Sequence, residues 1–192
     1  MWVTNFFDPY SEYQTARRNL PHWNQKAVIY FVTFHLADSL PAEKLAAFKE
    51  EKTRWLDVNR PPLSATQVKE YHQRFSGRIQ RWLDSGYGSC ILGRPEILTL
   101  VEEALRFFDG DRYMLGEHVV MPNHVHALVE PLSHYTLPGV LHSWKSFSAN
   151  QIKKITRSHG PVWHQESFDR IVRSPAHLNR IQQYIRENPK GA

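Results

Sequence analysis

A chain of 192 residues and 22.5 kDa, 41% hydrophobic, 12% aromatic and 22% charged, is the size of one domain and is neither collagen-like, coiled-coil nor wholly disordered. Its one cysteine, Cys90, excludes an internal disulfide and a Cys-rich metal site. The net charge of +5 is uneven: residues 1–141 hold 15 basic and 16 acidic side chains, whereas residues 142–192 hold 9 basic against 3 acidic.

Residues 1–26 are polar and aromatic without periodicity and read as an arm; no basic-then-apolar leader opens them. Ala27 to Ala37 is rich in β-branched and aromatic residues and reads as a buried strand. Its apolar part, Ala27 to Phe34, is eight residues long and too short to span a bilayer, so a membrane-free, cytoplasmic protein is expected. Ser39 and Pro41 open a helix to about Asp57, with Leu45, Phe48, Lys52 and Trp55 at helical spacing. After Pro61 and Pro62 a second helix is predicted over 64–84, with Val68, Tyr71, Phe75, Ile79 and Trp82 on one side. Gly86 and Gly88 mark a turn, and Pro95 starts a helix ending near Phe108.

Asp109 to Asp111 break the chain before two strands, 112–120 and 124–130, joined by Met121, Pro122 and Asn123. An amphipathic helix over 138–156 carries Leu141, Trp144, Phe147 and Ile152. A strand over 162–172 leads to Ser174 and Pro175, an N-cap and first-turn proline. The closing helix buries Leu178, Ile181 and Ile185 and stops at Pro189. This order predicts an α+β sandwich, an antiparallel sheet with helices packed on one side.

Three features bear on chemistry. The basic last quarter interleaves His142, Trp144, Phe147, Trp163, His164 and Phe168, the mixture of cations and flat rings that suits single-stranded nucleic acid; it suits equally a solvated surface over core aromatics. Strand alternation puts His124 and His126 on one face, so both imidazoles can reach one metal ion. With 11 histidines in the chain, such a pair also arises by chance, as a hairpin-edge pair with ordinary hydrogen bonds. On the closing helix His177, Ile181, Tyr184 and Asn188 share a narrow stripe. A tyrosine there can attack phosphorus if a divalent ion helps, or can simply rest its ring in the core with its hydroxyl wet. His35, His72 and His118 read as structural, and Cys90 as a buried or partly exposed thiol.

The run Val119-Val120-Met121-Pro122-Asn123-His124-Val125-His126-Ala127-Leu128-Val129 resembles the HUH strand of the single-tyrosine transposases. Trp163 to Arg173 (WHQESFDRIVR) and Tyr184-Ile185-Arg186-Glu187-Asn188-Pro189 resemble the C-terminal end of that family, and Trp82 to Leu92 (WLDSGYGSCIL) its REP-associated branch. The resemblance covers about residues 27–192. It implies a ferredoxin-like α/β sandwich with the HUH strand central, formed by one transposase domain over 1–192: an arm over 1–26, a helical insertion over 41–108, and the HUH strand, basic helix and tyrosine helix over 112–192.

By position it implies His124, His126 and Asn188 as metal ligands, Tyr184 as nucleophile, and Mg²⁺ or Mn²⁺ as cofactor. The implied reaction cuts single-stranded DNA beside a palindromic hairpin, leaves a 5′-phosphotyrosine and a free 3′-hydroxyl, and rejoins them. Lys145, Lys153, Lys154 and Arg173 are the candidate DNA contacts, on a bacterial protein that is cytoplasmic and nucleoid-associated when bound. Such proteins act as monomers or homodimers. A hairpin binder that does not cut, and an unrelated metal hydrolase, are the rival readings.

Overall fold

The computed structural model describes residue 6 and residues 14–17, 21–25, 27–60, 63–132 and 134–188. Most of the arm, the Pro61–Pro62 break and the stop at Pro189 lie outside the described residues, as does the Val68 side chain. Within the arm, β1 (Gln14–Arg17) and β2 (Pro21–Asn24) pair as an antiparallel hairpin that the sequence reading does not contain.

The main sheet has four strands: β3 (Tyr30–His35), β4 (Tyr113–Val120), β5 (His124–Pro131) and β6 (Phe168–Ile171). Their order is β4-β5-β3-β6, every pairing antiparallel. With α4 (Pro95–Arg106) between β3 and β4, and α5 (Leu137–Thr156) between β5 and β6, this is the predicted ferredoxin-like βαββαβ sandwich, with the paired-histidine strand inside the sheet. Every residue of β3 and β5 is buried, which is why both read as apolar runs rather than clean alternations.

One face of the sheet carries Tyr30, Val32, Phe34, Val125, Ala127 and Val129 against Ile97, Val101 and Leu105 of α4 and Leu141, Trp144 and Ile152 of α5. Trp144 donates to the Tyr113 hydroxyl at 2.7 Å, and that hydroxyl donates to the Leu105 carbonyl at 2.8 Å, so the buried rings leave no polar atom bare. The expectation of helices on one side only is corrected. The opposite face, with Ile29, Phe31, Leu128 and Val172, packs on Ile181 and Ile185 of α6 (Pro175–Glu187). The alternation that buries Val125 leaves a second apolar set facing the other way, and only another helix can cover it. Ser174 caps α6, its Oγ accepting from the His177 N–H at 3.1 Å.

Between β3 and α4 lie α1 (Ala42–Val58), α2 (Ala65–Tyr71) and α3 (Gly77–Asp84). They share a separate core of Phe48, Trp55, Tyr71, Phe75, Ile79 and Leu83, whereas α4 packs on the sheet. The single helix predicted over 64–84 is interrupted by a π-turn at His72–Ser76, which resets the helix face before α3 begins. The strand predicted over 162–172 is shorter for a local reason. Lys145 Nζ donates to the carbonyls of His164 and Gln165 at 2.8 and 3.0 Å, drawing that segment off the ladder. Phe147, predicted on the apolar side of α5, is 51% exposed; Ser148 takes the buried place and accepts from Trp163 Nε1 at 2.9 Å. Among the described residues no helix is long and apolar enough to cross a membrane.

Candidate metal and nucleophile site

The register sets Thr33 opposite His126 and His35 opposite His124, so β3 and β5 together present a polar strip on the face that α6 covers. Both histidine rings are fully buried. Asn123, 1% exposed, fixes the first. Its Nδ2 donates to the carbonyls of Leu83 and Tyr87 at 3.1 and 3.0 Å, so its Oδ1 accepts, and His124 Nδ1–H donates to it at 2.7 Å. The His124 lone pair therefore sits on Nε2. His126 receives the Gln80 amide on Nε2 at 3.0 Å and donates from Nδ1 to Thr33 Oγ1 at 2.8 Å, so its lone pair is also on Nε2.

The two Nε2 atoms lie 3.0 Å apart. Two lone pairs at that distance repel unless a cation lies against both. Burial holds His124 at about 4, and burial with the charges of His124 and Arg170 holds His126 well below the ordinary imidazole value. An octahedral ion with ligands at about 2.1 Å sets neighbouring ligands about 3.0 Å apart, which fits this pair.

Tyr184 brings the third group. Its hydroxyl is 3.3 Å from His126 Nε2, and its ring stands edge-on to Phe31, centroids 6.2 Å apart, while Phe31 stacks on His126 at 5.4 Å. Burial pushes the phenol pKa up, opposed by its polar neighbours, Asn188 first, and by the Arg170 charge. Asn188 caps α6 through its backbone N–H to the Tyr184 carbonyl at 3.1 Å, and its side-chain Nδ2 is buried with no hydrogen-bond partner among the described residues.

Two residues that sequence reasoning missed come from α3. Gln80 Nε2 also donates to Asp84 Oδ1 at 2.9 Å, and Asp84 Oδ1 is 3.8 Å from His124 Nε2. Ligand atoms of Asp84, His124 and His126 all lie within 4.8 Å of one another. Desolvation pushes the Asp84 carboxyl up. Gln80 and Asp84 are an ordinary i, i+4 polar pair in sequence, and nothing there says that they overlie a strand about 40 residues further on. The loop after α3 pins the helix. A Cβ at Gly88, φ +91°, would meet the Asp38 carbonyl oxygen at 2.6 Å, so only glycine fits, and the Ser89 N–H bonds Asp38 Oδ2 at 2.8 Å.

Asn123→Ala removes all three side-chain bonds and leaves His124 Nδ1 without its acceptor. It is expected to cost about 2–4 kcal/mol in urea unfolding, and to weaken divalent-ion binding in the same titration.

The candidate DNA contacts are scattered. Lys145 is bound to the loop before β6, and Lys153 and Lys154 lie at the end of α5, across the sheet from the histidines. Arg173 is exposed on the approach to α6, and Trp144 and Trp163 are core, with no free face for a base. Arg170, not singled out in sequence, sets its guanidinium 5.6 Å from the Phe31 ring, on the side of the pair where Tyr184 stands.

Residues 95–188 match the family described as "Transposase IS200 like". That segment, which holds His124, His126, Tyr184 and Asn188, is similar to the IS200-like transposases. No curated protein matches the sequence. Among solved structures the chain is similar to a REP-associated tyrosine transposase bound to a REP hairpin, with 13% identity, 92% of this chain and 73% of that one covered, and a TM-score of 0.49. It is also similar to a candidate transposase from Deinococcus radiodurans R1, with 14% identity, 96% and 98% covered, and a TM-score of 0.44.

Proposed function

We propose that the protein cleaves and rejoins single-stranded DNA beside palindromic hairpins, with Tyr184 as nucleophile and His124, His126 and Asn188 holding Mg²⁺ or Mn²⁺. The observation that carries this reading is the convergence of the Tyr184 hydroxyl and the two facing Nε2 atoms at 3.3 and 3.0 Å. The Tyr184 oxygen attacks phosphorus in line with the scissile bond, the phenolic proton is lost to solvent, and the 3′-oxygen leaves as a hydroxyl. The bond energy is kept in the phosphotyrosine, so the reverse attack by a 3′-hydroxyl needs no nucleotide cofactor. A divalent ion bound here would offset charge building on the phosphate oxygens and ease ionisation of the phenol. Phe31 and His126 hold the tyrosine ring, and Arg170, its guanidinium 5.6 Å from the same Phe31 ring, is a cation for the phosphates. Tyr184 meets His126 of its own chain.

The test is covalent capture. The protein is incubated with Mn²⁺ and a pool of 3′-labelled hairpin oligonucleotides with single-stranded flanks, then run on a denaturing gel. A labelled band at the size of the protein plus DNA, lost with chelator, is the expected result. A native-gel shift without any adduct would instead make the protein a hairpin binder that does not cut.

A further inference from the structure

The insertion supplies more than cover. An imidazole–imidazole–amide set offers no anionic oxygen, yet Mg²⁺ and Mn²⁺ are hard ions that favour carboxylate ligands, while imidazole alone suits zinc, copper or nickel. Among the described residues the carboxylate beside the facing histidines is Asp84, its oxygen 3.8 Å from His124 Nε2 and its side chain 41% exposed, free to close the gap to the roughly 3.0 Å of neighbouring octahedral positions. Its only direct hydrogen-bond partner among those the structure gives is Gln80, whose Nε2 bridges Asp84 Oδ1 and His126 Nε2 at 2.9 and 3.0 Å. The same amide thus occupies two of the atoms a metal would use.

We propose that Asp84, delivered by α3 of the insertion, is the anionic ligand of the divalent ion, and that Gln80 is the placeholder that holds the carboxylate and the His126 lone pair in position until the ion displaces it. This rests on the metal reading of the histidine pair given above. It makes the insertion part of the active site. A site of two neutral imidazoles and one carboxylate leaves a bound dication with net positive charge toward the DNA phosphate. The two α3 residues then act with opposite signs: Asp84 adds to metal affinity, and Gln80 competes with it.

The experiment is a Mn²⁺ titration of the DNA-free protein, free Mn²⁺ being read by its electron paramagnetic resonance signal. Wild type, Asp84→Asn, Gln80→Ala and His126→Ala are compared, with a metal-free thermal melt of each. Asp84→Asn, nearly the same in shape and half-exposed, is expected to bind Mn²⁺ at least tenfold more weakly with an unchanged metal-free melt. Gln80→Ala is expected to bind as tightly as wild type or more so. Wild-type affinity in Asp84→Asn, alongside a loss in His126→Ala, would overturn the Asp84 assignment and leave the histidine reading standing. Equal weakening in both α3 variants with lowered metal-free melts would reduce α3 to a support and also overturn it. No Mn²⁺ binding by wild type would remove the metal reading and this proposal together.

Discussion

Tyr184→Phe is expected to abolish strand cleavage and the covalent adduct, a loss of at least about 10⁴-fold in single-turnover rate, while hairpin binding in a native gel stays at the wild-type level. The two readouts separate because of what the side chain does. Its ring packs on Phe31 and His126, and phenylalanine keeps both contacts. Only the hydroxyl 3.3 Å from His126 Nε2 is removed, and no other described side chain places an oxygen nucleophile at that point. Asp84 offers a rival oxygen, 3.8 Å from His124 Nε2. The fold should not suffer, since the tyrosine is half-buried and its hydroxyl supports no backbone group. Equal loss of cleavage and binding would mean that Tyr184 serves the DNA-binding surface, not the chemistry. Cleavage surviving at the wild-type rate would transfer the reaction to a metal-activated water.

What the sequence revealed and what it hid divide along physical lines. The histidine pair was legible because strand alternation is strict: residues two apart share a face whatever the tertiary context, so His124 and His126 had to point together. Tyr184 and Asn188 were legible for the matching reason on a helix, four residues making one turn. The core sandwich followed from the order of strand and helix patterns along the chain. Asp84, Gln80 and Thr33 were not legible, because each reaches the site through long-range packing. The π-turn at His72–Ser76 changes which side of α3 faces the sheet, and no local pattern announces it. The Asn123 side chain was equally silent: a turn asparagine is expected to serve its own turn, yet this one binds carbonyls 36 and 40 residues earlier. Charge counting misled on Lys145, since the excess of basic residues says nothing about which ammonium is used inside the protein.

Acid should unfold the metal-free protein in a range where most domains are still stable. Three histidines lie fully buried on the site face: His35, His124 and His126. Burial first, then the charges of His164 and Lys145, holds His35 at about 3, while His124 stands at about 4 and His126 well below its ordinary value. Among the described residues no carboxylate is among the groups acting on His35, whose ring stacks on His164 at 4.6 Å and leaves Nε2 without a hydrogen-bond partner there. In the unfolded chain each of these rings takes its proton near the ordinary value of about 6.5. A base whose pKa is lowered by folding contributes stability that is fully present above that value and is lost as pH falls toward the folded pKa, because the unfolded state then binds more protons. Each histidine withdraws about 1.4 kcal/mol per pH unit in this window, so three withdraw roughly 4 kcal/mol per unit below pH 6, against a typical domain stability of about 5–15 kcal/mol. Urea unfolding with chelator from pH 7.5 to 4.5 is expected to show that slope and a midpoint near pH 5, estimated from the same linkage. His35→Phe should lower the slope by about one proton, and added Mn²⁺ should move the midpoint to lower pH by holding His124 and His126 unprotonated. A flat profile down to the carboxylate range would mean that the three rings are charged inside the fold, and that the strip between β3 and β5 is wet.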